Sequence, residues 1–476
     1  MSSARRSLHL VGPVPGLRLC TSCTAPSTPF SPYIGTAERP VFTHCVGVPR
    51  AAAWRRGYAT QRLDVARLRD DVDQRARSGF YQLCKAQAAL KIAPDKANAI
   101  YKEFIAHRNK LGHSANVRQL AKRTLACCNT DNAHGLTLTG YRVNIEDITD
   151  VALTTYKVPD LSDPLKRVQL PPSMHKSTAG LILQGCAQAG EPLAVVHIMT
   201  AVLLSSCSPD NKAAQDIARM FPKSEIAKYR LKLEELCSQS KTIVLGPDVL
   251  TLKGLFSEME GQRQKAREAF ELAITRSHLK FQKGLKHPFQ LPLVTPWNAL
   301  GYLLKSDKDP AVQAEARSYF LLGAQEADDP LSCFEASKYE PRASPDWLRF
   351  TSRAAASGHK QASINLAEFY QEISTNESPI LNNSGMRKVL SWILSWRTGS
   401  VAALAREWHQ AASNLGHKPS MMKLADHYES VGDRERATEY LRRIVEPSMP
   451  ASQGEEWPQL VQMAQKRLAG IRVRIP

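Results

Sequence analysis

One segment of this chain occurs twice, 58 residues apart. Ala355-Ala356-Ser357-Gly358-His359-Lys360, followed by Leu366-Ala367-x-x-Tyr370, returns as Ser413-Asn414-Leu415-Gly416-His417-Lys418, followed by Leu424-Ala425-x-x-Tyr428. Trp408-x-x-Ala411-Ala412 precedes the second copy. Such self-similarity constrains the fold more than composition does. A short helical unit cannot bury its apolar face alone, so its copies must stack.

Other stretches carry related spacings. From Pro247, Gly254, Gly261, Ala266, Phe270 and Ala273 fall where two close-packed helices and their joint need small or aromatic residues. Trp297-x2-Leu300-Gly301 leads into Ala316-x3-Phe320-x3-Ala324-x2-Ala327-Asp328-Asp329. Ala425, Tyr428, Gly432 and Ala437 follow the same rule, with Leu441 in the aromatic's place. Gly185-Cys186-Ala187-Gln188-Ala189-Gly190-Glu191-Pro192, then Leu193-Ala194, reads as a degenerate turn of this kind. The Pro247–Ile274 stretch resembles a tetratricopeptide unit, and the Gly-His-Lys copies resemble the Sel-one-like repeat. The resemblance covers about residues 175–280, 295–370 and 400–446. It implies an all-α fold, an α-solenoid of antiparallel helix hairpins. In such a hairpin Gly254 faces Ala266, Phe270 and Ala273 fill the gap to the next hairpin, and Gly261 is the joint.

The first 58 residues have another character. They hold Arg5, Arg6, Arg18, Arg39, Arg50, Arg55 and Arg56, no lysine, and Glu38 as the one acid, with frequent Ser, Thr and Pro. Arg-rich, Ser-rich, acid-poor composition marks an organellar transit peptide, and the apolar core of a secretory signal is absent from the stretch. Arg55-Arg56-Gly57-Tyr58-Ala59 resembles a mitochondrial processing site, which sets the mature start at Ala59 and implies a disordered leader. The expected localisation is the mitochondrion, on the matrix side.

The whole chain has 476 residues and a formal charge of +18; without the first 58 residues, 56 basic and 44 acidic residues leave +12. That balance suits RNA, a ribosome or an anionic lipid surface. Hydrophobic residues at 43 % exclude a globally disordered chain. No apolar run reaches the ~18 residues of a spanning helix. Beyond the leader, Cys84, Cys127, Cys128, Cys186, Cys207, Cys237 and Cys333 form no zinc-type pair of doublets and sit in apolar helical patterns. They fit a reducing compartment.

The expected organisation is a transit peptide at 1–58, helices at 59–128, an irregular linker at 129–172 with a small hairpin at Leu136–Val143, and helical repeats at 173–446. A polar insertion at 374–385 and a helix at 386–397 stretch the offset beyond the family's roughly 36 residues. A C-terminal helix and tail occupy 447–476. Asp95 is placed as the cap of a helix through Ala99, Ile100, Phe104 and Ile105.

Candidate binding residues fall in three groups. Variable positions on first helices, Lys253, Ser257, Asn365 and Glu368, are the expected peptide-binding face. Lys102, Arg108, Lys110, Arg118, Lys122 and Arg123 form a basic patch, read either as a surface for RNA phosphate or anionic lipid or as a solvated helix face. Trp392 and Trp396 share one helix face, read either as an interfacial helix on the inner membrane or as a packed helix of an irregular repeat. His359 and His417 recur with the repeat and are placed in turns, bonding backbone carbonyls. Phosphate loops, dinucleotide fingerprints, zinc-protease motifs and nucleophile elbows are missing from the sequence. Catalytic, cofactor and metal residues are therefore expected to be none, and the chain is expected not to be an enzyme. The family resemblance implies adaptor or assembly-factor work on a protein or peptide segment, and among mitochondrial members support of respiratory-complex biogenesis, cytochrome c oxidase especially. The other reading is a mitochondrial RNA-binding or ribosome-associated factor.

Overall fold

The computed structural model describes residues 51–111, 116–129, 143–161, 169–208, 211–239, 245–279, 287–375, 378–447 and 455–472. Two compact units are present, Met1–Gln61 and Arg62–Pro476. Of the first, only the backbone from Ala51 is described, as the opening turns of a helix. Most of the leader, and the hairpin anticipated at Leu136–Val143, lie outside the described residues. The expected cut between Tyr58 and Ala59 falls within helical backbone.

Among the described residues there are twenty α-helices and no strand. The N-terminal body holds α1 (Ala51–Ala86), α2 (Pro94–Leu111), α3 (Val117–Asn129), α4 (Ile145–Tyr156), α5 (His175–Gln188), α6 (Pro192–Cys207), α7 (Lys212–Arg219) and α8 (Lys223–Ser238). The stacked part follows with α9 (Gly246–Met259), α10 (Arg263–Ser277), α11 (Pro296–Lys305), α12 (Pro310–Gln325), α13 (Pro330–Ser337), α14 (Pro345–Ala356) and α15 (Lys360–Ile373). A 3-10 turn at Pro379–Asn382 and α16 (Ser384–Leu394) precede α17 (Ser400–Asn414), α18 (Lys418–Ser430), α19 (Arg434–Val445) and α20 (Pro458–Arg472).

From α9 onward the packing runs in pairs: α9 with α10, α11 with α12, α13 with α14, α15 with α17, and α18 with α19. Each pair then touches the next, as in a solenoid. Small residues set the approach. A Cβ added at Gly254 would lie 2.3 Å from the Phe270 ring, and one at Gly301 would lie 2.7 Å from the Phe320 ring. Phe270 therefore packs on Gly254 inside its own hairpin, in the groove that glycine leaves, and shares a core with Ala266 and with Ala299 and Leu300 of the next hairpin. The insertion explains the 58-residue offset: α15 pairs with α17 across it.

The repeated Gly-His-Lys is a stop-and-start signal for helices. Gly358 (φ +88°) and Gly416 (φ +83°) take the left-handed conformation that ends α14 and α17. The histidine behind each glycine takes the cap position of the next helix. His359 Nδ1 accepts from the Ala362 amide at 3.3 Å. His417 Nδ1 instead meets Ser420 Oγ at 2.8 Å. Both stand at helix starts, and His359 accepts from an amide where bonding to carbonyls was anticipated.

The 129–172 stretch is more than an irregular linker, because it contains α4. Asn144 and Asp147 form a reciprocal capping box at its start. Its threonines satisfy their hydroxyls internally: Thr149 donates to the Ile145 carbonyl at 3.1 Å, Thr154 to Asp150 at 2.9 Å and Thr155 to Val151 at 2.6 Å. The helix is buried from Asp147 to Tyr156. Asp95 lies in the first turn of α2, which begins at Pro94, so it is not the cap.

One apolar core extends from Tyr81 through α4, α5 and α6 to Leu291; a second runs from Ala266 to Ala405, and a small third joins α18, α19 and α20. Among the described residues no single helix is long and apolar enough to cross a membrane. Only taken together do α5 and α6, bent by 117° to each other, have that length and apolar composition. α6 is buried from Leu193 to Ala201, as a core helix is.

Candidate functional site

The four residues expected on a peptide-binding face do not form one. Ser257 is buried at 6 % exposure. α9 is covered by α6, α8, α10 and α11, so both of its faces are occupied. Lys253 is half-buried, its Nζ 3.1 Å from Glu234 Oε2 on α8. Asn365, half-buried on α15, accepts from Gln361 Nε2 at 3.0 Å. Glu368 alone of the four is exposed.

The basic patch does face outward. Lys102 and Lys110 on α2, and Arg118, Lys122 and Arg123 on α3, are exposed; Arg108 is half-buried. The two helices pack together, so these cations belong to one region of surface. His107 lies 3.8 Å from Glu103 on the same helix.

Arg118 also lines a groove of about 630 Å³ between α3 and α8. Gln188, Glu225, Lys228, Lys232 and Glu235 supply its polar walls, and Leu231 stands at its edge, 72 % exposed. Gly185 shapes this region, since a Cβ there would fall 2.7 Å from the Val117 carbonyl oxygen. α3 can therefore lie directly on α5. Tyr229 forms the groove's inner wall; burial, with Glu225 beside it, pushes its phenol well above the ordinary range. Mixed charges around an apolar point suit a polypeptide segment better than a small reactive substrate.

A buried polar centre underlies a second cleft, of about 590 Å³, lined by Tyr156, Asp160, Ser173, His175 and Lys176 among others. Arg69 Nη2 contacts Asp73 Oδ1 at 2.8 Å and Asp160 Oδ1 at 2.7 Å. Ser173 Oγ donates to Asp73 at 3.0 Å. Arg77 donates to Asn98 Oδ1 at 3.0 Å, lies 3.4 Å from His175 Nε2, and stacks 3.9 Å over the Tyr101 ring. Burial holds His175 below its ordinary pKa, with Arg77 and Arg69 adding to the effect and Asp73 opposing it. These groups tie α1 to α2, α5 and the 158–161 segment. The pattern Arg69, Asp73, Arg77 at i, i+4, i+8 was the available sequence signal for an inward charged stripe, and sequence reasoning missed it.

A second such hub is Asp329, the cap of α13. Its Oδ2 accepts from Thr295 Oγ1, Trp297 Nε1 and Asn298 Nδ2, each at 2.7 Å, and from Ser332 Oγ at 3.1 Å. It fastens the α11–α12 hairpin to the α13–α14 hairpin.

The helix expected at 386–397 runs from Ser384 to Leu394, so Trp392 lies on α16 and Trp396 in the turn after it, and both are exposed. The thiols of Cys84, Cys186 and Cys333 are buried, and burial pushes Cys186 up to about 12 and Cys333 up to about 11. The side chains of Cys127 and Cys128 lie outside the described residues. Among the described residues no group of three or more His, Cys, Asp or Glu could hold a metal ion. The chain matches no protein-family model and no curated protein.

Proposed function

We propose that this chain is a non-enzymatic adaptor or assembly factor of the mitochondrial matrix, built on tetratricopeptide and Sel-one-like hairpins, that holds a segment of a partner protein. The observation that supports this reading is the run of helix pairs in which glycine admits an aromatic ring, Gly254 with Phe270 and Gly301 with Phe320. Stacks of this kind present extended surfaces to polypeptides. The binding surface is moved from α9 and α15 to the groove between α3 and α8, where Leu231 offers an apolar anchor between Lys228, Lys232, Glu225 and Glu235. Respiratory-complex biogenesis, cytochrome c oxidase in particular, is the role proposed by analogy with the repeat family and with the leader.

The exposed cations of α2 and α3 favour a second reading, an RNA-binding or ribosome-associated factor. Affinity purification from gently solubilised mitochondria, with and without nuclease, separates the two. Protein partners that survive nuclease and are lost with Leu231→Asp support the adaptor. Partners that vanish with nuclease, and binding that falls steeply with salt in an Arg118→Glu/Lys122→Glu variant series, support the RNA reading.

A further inference from the structure

α16 belongs to the insertion that interrupts the repeat, and its two faces are opposed. Met386, Leu390 and Ile393 are buried at 0 %, 1 % and 4 % exposure. Asn383 caps the helix, accepting from the Met386 amide at 3.1 Å, and Arg387 Nε donates to the Leu381 carbonyl at 3.0 Å. The helix is thus seated by its own side chains and held at its start. Val389 and Trp392, 44 % and 57 % exposed, lie on the outward side of the helix, and Trp396, 66 % exposed, stands in the turn just past its end at Leu394. The two indoles lie 6.4 Å apart between centroids. Their neighbours Ser391 and Ser395 are small, so little shields the rings.

Charge within the insertion itself has one sign. From Ser378 to Arg406 the chain has no Asp or Glu, and it carries Arg387, Lys388, Arg397 and Arg406. The first three are exposed. Of the elements packed against α16, α14 carries Asp346, 3.0 Å from Arg349, together with Arg353, and α17 carries Glu407 beside Arg406. Exposed tryptophans bordered by cations match the headgroup region of a bilayer. There an indole buries its ring among acyl chains while its N–H stays hydrated, and Lys or Arg meets anionic phosphate.

We propose that Val389 and Trp392 on α16, with Trp396 in the turn that follows it, dock the protein on an anionic phospholipid surface. The occupant is anionic lipid because the two exposed indoles stand beside the exposed cations Arg387, Lys388 and Arg397, in a stretch without Asp or Glu. One short helix gives reversible, salt-sensitive attachment. This inference is independent of which partner the repeats hold.

The test is flotation of the full chain with vesicles of phosphatidylcholine alone or mixed with phosphatidylglycerol. The Arg-rich N-terminus is common to every variant, so differences between variants report α16. We expect binding to the anionic vesicles, weakened about tenfold or more by Trp392→Ala/Trp396→Ala and by Arg387→Glu/Lys388→Glu, and lost on raising salt. Wild-type fluorescence should be quenched by brominated lipid more than that of Trp392→Phe/Trp396→Phe, a variant that keeps the apolar face. All substituted positions are exposed, and unchanged thermal melts confirm the fold. Equal binding by the Trp→Ala variant overturns the proposal, as does equal binding to neutral vesicles. Loss of a wild-type dimer in the Trp→Ala variant, without vesicle binding in either protein, overturns it in favour of self-association.

Discussion

Gly254→Ala tests the register of the α9–α10 hairpin at a single atom. The new Cβ would lie 2.3 Å from Phe270 Cε1, 2.6 Å from Cδ1 and 2.9 Å from Cζ. Carbon pairs prefer about 3.5–4.0 Å, so the nearest ring edge sits roughly 1 Å or more too close. Phe270 is fully buried and cannot swing into solvent. Overpacking of this kind costs about 1–3 kcal/mol. Against it stands the gain of about 0.5–1 kcal/mol from replacing a helical glycine. The expected net loss is about 1–2 kcal/mol. Gly79 in α1 is the control: it is helical, exposed, and has nothing within 4 Å of a built Cβ. Gly79→Ala should therefore stabilise, by about 0.5–1 kcal/mol. Urea unfolding followed by circular dichroism, with amide exchange in α9 and α10, reads both. Phe270→Leu should erase most of the penalty, giving a coupling of about 1 kcal/mol in the double-mutant cycle. If Gly254→Ala stabilises as Gly79→Ala does, or if the cycle shows no coupling, the ring is not opposite this glycine and the hairpin register is wrong.

Asp329→Ala should lower stability by about 3 kcal/mol, because Trp297 Nε1, Asn298 Nδ2 and Ser332 Oγ lose a common buried acceptor, a loss that thermal unfolding would register. His409, held between Ser420 and Gln371, is lowered to about 4 by burial, then by Lys423 and His417. His197 is lowered to about 3, mainly by burial. Both stay neutral in the fold while the unfolded chain takes up protons below about pH 6.5, so their contribution is full above that pH and fades as pH falls toward 4 and 3. Unfolding free energies from urea titrations should drop on acidification by about 2 kcal/mol per histidine at pH 4.5, and His409→Gln should remove its share of that slope. Lys418 is buried at 4 % exposure, with Nζ 3.0 Å from the Glu446 carbonyl oxygen and 2.6 Å from Glu455. Lys418→Met should free the C-terminal segment, seen as faster amide exchange in α20 with little change in α9–α15.

The repeats were legible because close helix packing dictates small residues at fixed spacings, and the Gly-His-Lys motif marks where one helix ends and the next begins. Hairpin partners were less legible: Phe270 was expected in the gap to the next hairpin, and its ring also lies against Gly254. α4 was read as linker because Thr and β-branched residues suit loops and strands as readily as helices. Asn144 and Asp147, a capping pair three apart, were the cue for it. Ser257 was misplaced because a hairpin considered alone has a free face, whereas α8 and α6 cover the free face of α9. The buried charged centre around Arg69 was hidden because its partners, Asp160 and His175, lie about a hundred residues away in sequence.

The pairing of α15 with α17 also bears on how the array assembles. Elsewhere in the stack the connections are shorter, from the three-residue turn Glu260–Gln262 between α9 and α10 to residues 278–295 between α10 and α11, but Ser374–Gly399 must be looped out before α15 can meet α17. Closing the longer loop costs about 2 kcal/mol more in chain entropy, partly offset by the buried side of α16. Nearest-neighbour cooperativity in a stack passes only through adjacent pairs. The slowest closure therefore divides the array into an early-folding body ahead of α15 and a late-joining end of α17 to α20, and a nascent chain would complete the first before the second leaves the ribosome.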